Sequence, residues 1–137
     1  MSGLARRSLL ALPLLMAPAA ARAVGVTIPP FPLWIGRTAL LRGDTGSARL
    51  LFTADGRGMM SVKFFFLCYA LPVRSWRIEE DGMSVRYSRV SALDSSRLIH
   101  GEAHILRVEN QVMWIEAARH MAEFEGFADA SQARSCD

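Results

Sequence analysis

His100-Gly101-Glu102-Ala103-His104 is the densest group of side chains in the sequence that could bind a metal or move protons. Strand geometry, with a rise of about 3.3 Å per residue, places the two imidazoles about 13 Å apart. One metal with ligand bonds of about 2 Å cannot bridge them. On a helix they would converge, but Gly101 and the alternating neighbours favour a strand. His100 with Glu102 would still need a third ligand, so the segment reads as a solvated polar face and no metal is expected. Glu79, Glu80 and Asp81 sit beside a turn. A paired-carboxylate hydrolase needs its two carboxyls about 5 to 9 Å apart across a cleft, whereas neighbours at a hairpin tip are simply hydrated. Ser95-Ser96 lacks the G-x-S-x-G turn of a serine hydrolase. Gly56-Arg57-Gly58 lacks the lysine and spacing of a phosphate loop. There is no C-x-x-C, which disfavours thioredoxin-like chemistry and the commonest zinc spacing. The chain is therefore expected to be non-enzymatic and without a cofactor. An enzyme would require a cleft joining His100, Glu102, His104 or His120 across strands.

The aromatic residues are more informative, and their meaning depends on the elements that carry them. Turn signals recur at Gly43-Asp44-Thr45-Gly46, Asp55-Gly56-Arg57-Gly58, Pro72, Asp81-Gly82, Leu93-Asp94-Ser95-Ser96 and Glu109-Asn110. Between them, apolar residues alternate with polar ones. Ala48, Leu50 and Phe52 form one face, followed by Met60, Val62, Phe64 and Phe66. Trp76 and Ile78 oppose Ser75 and Arg77, and Met83, Val85 and Tyr87 oppose Ser84, Arg86 and Ser88. Ile99, Ala103 and Ile105 oppose the histidines. Period-two alternation marks half-buried antiparallel strands. The expected fold is all-β: a small up-and-down meander closing into a barrel of about seven or eight strands, since closure removes exposed edges. Phe52, Phe64, Phe66, Trp76, Tyr87 and Ile105 fall on its inner face, as a packed core or as the lining of an apolar pocket. Phe64 to Val73 reads as one strand that is apolar on both faces. Phe65, Leu67 and Tyr69 then face outward and require a cover, from the N-terminal arm, a partner protein or a second copy in a dimer. Residues 114–124 fit a strand or a helix. The favoured reading is a strand to about Ala118, then a helical turn or a short final strand.

Both ends of the 137-residue chain differ from its middle. Arg6 and Arg7 precede an apolar run from Leu9 to Ala21 that ends in Ala21-Arg22-Ala23, the layout of a cleavable secretory signal. That run is shorter than the about 20 apolar residues of a membrane span, so no span is expected once residues 1–23 are removed. Arg6-Arg7-Ser8-Leu9-Leu10 also has the form of a twin-arginine export core. Expected mature residues are then Val24 to Leu33 as a Pro-rich extended arm, 34–127 as the barrel and 128–137 as a polar tail. The 16 basic residues include Arg6, Arg7 and Arg22, so 13 basic and 13 acidic residues remain after cleavage. Near neutrality excludes the electrostatic footprint of a nucleic-acid binder. Cys68 and Cys136 are the two cysteines. Export makes a bond between them available, against the alternative of a buried Cys68 with Cys136 free or paired between chains.

A tryptophan just before the first strand, Trp34, then a meander with Asp-Gly turns behind a secretion signal, resembles the lipocalin-like or calycin barrels. The resemblance covers about Trp34 to Phe124 and is one of architecture. The lipocalin glycine two positions before the tryptophan is replaced by Pro32, with a glycine following instead at Gly36. Arg119 is the positional candidate for the arginine that packs over that tryptophan. The resemblance implies a small apolar ligand held in the barrel. Together these readings give an exported, periplasmic or secreted binding protein. The alternative is an interaction or inhibitor protein with a filled core, meeting an envelope partner through Phe65, Leu67 and Tyr69.

Overall fold

The computed structural model describes residues 26–115 and 120–136. The expected signal segment, its expected cleavage point after Ala23, and Arg119 lie outside them.

The alternating runs form eight strands: β1 (Thr38–Arg42), β2 (Gly46–Phe52), β3 (Gly58–Phe64), β4 (Leu67–Ile78), β5 (Ser84–Val90), β6 (Leu98–Arg107), β7 (Val112–Ile115) and β8 (His120–Ala128). Each pairs antiparallel with the next, and β8 pairs with β1, so the sheet closes into a barrel. Closure satisfies the edge groups that an open meander would expose. His120–Ala128 is strand throughout, which overturns the helical alternative for that segment: its first residues, His120 to Glu123, pair with β7 and the rest, from Glu123, pair with β1, so that it supplies the last stave. No helix among the described residues is long and apolar enough to cross a membrane.

Asp-Gly turns close the hairpins as their chemistry requires. Gly82 takes a positive φ of 69°, and Asp81 Oδ1 accepts from the Met83 and Ser84 amides at 2.9 and 3.0 Å. Two of the sequence signals mislead. Pro72 does not mark a turn. It lies inside β4, where pairing with β5 begins only at Val73 and a bulge follows, so its edge toward β5 is free of the ladder, a position proline tolerates. The expected continuous strand from Phe64 to Val73 is broken by a two-residue hairpin at Phe65-Phe66, with Phe64 opposite Leu67 and Lys63 opposite Cys68.

That hairpin contains no glycine, asparagine or aspartate, and Phe65 adopts φ 58°. It reverses the facing of the next segment, since a strand alternates sides at every residue. Leu67, Tyr69, Leu71 and Val73 follow the inner face, and Cys68 points outward.

One barrel end is plugged. The segment expected as an extended arm includes a 3-10 helix, Phe31–Trp34, whose Phe31 amide donates to the Gly82 carbonyl at 2.9 Å. Phe31 and Trp34 are completely buried. Trp34 stacks on Phe124 at 5.3 Å between centroids and meets Phe127 edge-on at 5.9 Å, while its indole N–H donates to the Pro29 carbonyl at 2.9 Å. Arg37 lies 5.2 Å from the Phe127 ring centroid.

The C-terminal segment straps the outside of the wall. A 3-10 helix, Ala130–Arg134, lies on β1, β2 and β3, and the Cys68–Cys136 disulfide holds its end with Cα atoms 6.1 Å apart. Thr38 Oγ1–H donates to the Asp129 carbonyl at 2.7 Å, and the buried Ser61 hydroxyl donates to the Ala133 carbonyl.

Candidate functional site

The end opposite the plug opens on a cavity of 480 Å³ inside the barrel. Its walls come from residues that alternation turns inward: Leu41, Leu50, Met60, Val62, Ala103, Met113, Ile115 and Ala122. The β1–β2 turn, Lys63, Phe64, Leu67, His120 and Met121 also border it. An eight-stranded barrel is about wide enough for side chains or one small ligand. Here the aromatic bulk gathers at the plugged end, and aliphatic residues and methionines leave space at the other.

Of the six residues read as inward, Phe64 and Tyr87 line this cavity. Phe52 and Ile105 are buried core residues. Phe52 stacks obliquely on Trp76 at 5.5 Å, and the Trp76 indole N–H donates to the Thr53 carbonyl in the β2–β3 turn at 3.1 Å. Phe66 is a correction: it is 87 % exposed, because it occupies the hairpin tip instead of continuing the β3 face. Leu67 and Tyr69 are corrected in the opposite sense. They line the cavity, whereas Phe65, at 65 % exposure, stands outside as expected. Cys68, which unbroken alternation from Phe64 and Phe66 would carry to the inner face, lies opposite Lys63 and is outward for the same reason.

Tyr87 needs bare backbone opposite it. Its register partner on β6 is Gly101, where an added Cβ would approach the Tyr87 ring and hydroxyl to 2.7 Å. Burial raises the Tyr87 phenol above its ordinary pKa, partly offset by the charge and hydrogen bond of Arg89.

Arg89 is the lining residue that sequence reasoning overlooked. The signal was present: it stands two residues beyond Tyr87 and so shares the inward face of Val85 and Tyr87. Its Nη1–H donates to the Val90 carbonyl at 3.1 Å. No carboxylate pairs with it among the described residues.

The histidine strand is elsewhere, on the outer wall. His100 Nδ1 and Ser88 Oγ are 2.8 Å apart, and His104 Nδ1 and Ser84 Oγ are 3.0 Å apart. Glu102 lies between His104 Nε2 at 3.2 Å and Arg86 Nε at 2.8 Å. These contacts form an ordinary cross-strand polar ladder. His120, at the cavity mouth, does not join them. Among the described residues no group of three or more His, Cys, Asp or Glu side chains is arranged to hold a metal ion. No protein family, curated protein or solved structure matches the chain at a significant level.

Proposed function

We propose that this is an exported, non-enzymatic binding protein that holds a small apolar ligand inside its barrel, in the manner of the lipocalin-like proteins its architecture resembles. The observation that carries the reading is the 480 Å³ cavity, apolar along its walls and open at one end. Ligand sites occupy about 300 to 1,000 Å³ and are lined mostly by hydrophobic side chains with a few placed polar groups. The N-terminal layout supports export, and a disulfide suits an oxidising compartment. Binding of a neutral naphthyl fluorophore tests the reading. The wild-type protein should bind it, and Val62→Trp, which fills the cavity from its wall, should weaken binding about tenfold or more without lowering the unfolding midpoint. A wild-type protein that fails to bind, or a Val62→Trp variant that binds equally well, refutes the reading.

A second reading, as an envelope interaction or inhibitor protein, is favoured by the hairpin tip. Phe64, Phe65, Phe66 and Leu67 are all exposed there, and consecutive exposed aromatic residues are a typical signature of a contact surface.

A further inference from the structure

We infer that the ligand is a single-tailed amphiphile with an anionic head, and that Arg89 is the residue that holds that head. The inference rests on the reading of the cavity as a ligand site and adds the chemistry of the occupant.

A guanidinium cannot shed its proton at any ordinary pH, so Arg89 stays cationic wherever it is placed. A charge in apolar surroundings is costly unless it is paired or hydrated. Yet Arg89 lies on the cavity-facing side of β5, with Val85 and Tyr87 before it, and among the described residues no carboxylate answers it. The Val90 carbonyl accepts from its Nη1–H, and its charge and hydrogen bonding act on the Tyr87 phenol. The remaining donors are available to a ligand. A planar fork beside a phenol suits the two oxygens of a carboxylate or the oxygens of a phosphate monoester.

The position in the barrel assigns the tail. Arg89 is the penultimate residue of β5, next to the 91–97 loop on the side away from the plug. Leu41, Leu50, Met60 and Met113 provide the apolar walls for a chain. Asp44 is the one carboxylate among the described residues that border the cavity, so little negative charge there opposes an anionic head.

Decanoate, decyl phosphate and decanol share a tail and differ in the head, so competition against the neutral fluorophore isolates the head's contribution. Wild-type protein should prefer at least one of the two anions over decanol by about 10- to 100-fold. Arg89→Met should erase that preference, leaving the anions no tighter than decanol, and Arg89→Lys should keep part of it. Which anion binds more tightly separates a carboxylate source from a phosphate source. Equal affinity of wild type for the anions and the alcohol overturns the assignment, as does an unchanged preference in Arg89→Met, and either outcome leaves the cavity reading standing. If Arg89→Met fails to fold, the wild-type comparison of anion and alcohol decides alone. Wild type that binds neither fluorophore nor any of the three amphiphiles removes the cavity reading itself.

Discussion

Tyr87 and Arg89 show how one strand face combines packing with polarity. Tyr87 is nearly inaccessible, and its ring covers the bare backbone of Gly101. Because burial raises its pKa in the folded protein, protons are held more tightly there than in the unfolded chain. Both states keep the proton below the ordinary tyrosine value of about 10, so no pH dependence arises there. Above it the unfolded state ionises first, and stability must fall as pH rises toward the folded value. Tyr87→Phe should therefore resist alkaline unfolding to a higher pH than wild type. The phenolate absorbance of the wild type should show one tyrosine titrating late. An alkaline midpoint identical in the two proteins would mean that the phenol is not buried. At this scale the sequence was legible where alternation was unbroken: counting two residues from Tyr87 reaches Arg89. What obscured it was chemical expectation, since an arginine among polar neighbours reads as solvated.

At the scale of elements, the β3–β4 hairpin explains most of the difference between expectation and structure. Turns that carry Gly56 or Gly82 announce themselves. Phe65-Phe66 has only apolar atoms to show, and nothing in Phe64 to Val73 contradicts a single strand. One unseen two-residue turn then inverts the facing of Leu67, Cys68 and Tyr69 together. A continuous strand would also demand an external cover, which the inward turn of Tyr69 makes unnecessary for that residue. Phe65 keeps the cost: a bulky side chain at φ 58° lies in a region that disfavours L-residues by about 1 to 2 kcal/mol. Glycine relieves that strain but adds freedom to the unfolded chain. Phe65→Gly should consequently hold or raise stability by up to about 1 kcal/mol, although it deletes a large apolar side chain. Urea unfolding measures this. A loss above about 2 kcal/mol, in the range of a buried large-to-small change, would show that Phe65 packs in solution against more than the Phe64 ring, which it meets edge-on at 4.5 Å.

Across the whole molecule, the barrel is finished by the two chain segments outside its strands, one as a plug and one as a strap. Strand number and closure were readable from turn spacing, because eight short amphipathic runs have few other ways to bury one face each. The roles of the two segments were not readable, since Pro-rich and small polar stretches carry no periodicity. The strap depends on long-range bonds: the carbonyls of Asp129 and Ala133 accept from Thr38 and Ser61, and Gln132 accepts from Arg49 through its carbonyl and its Oε1 at 3.2 and 2.9 Å. The disulfide spans a sequence separation of 68, for which the chain-entropy model gives about 4 kcal/mol. Cys136 lies beyond the last strand, so much of the barrel can form without it, and the measured loss should be smaller. The double variant Cys68→Ser/Cys136→Ser is expected to fold and to lose about 2 to 4 kcal/mol. It should keep its fluorophore affinity, because Cys68 points away from the cavity. Unfolded, unreduced protein should show no free thiol. Two free thiols per chain would refute the bond, and a dimer that disappears on reduction would reassign Cys136 to a bond between chains. Loss of ligand binding in the double variant, with stability unchanged, would instead place the strap within the function of the cavity.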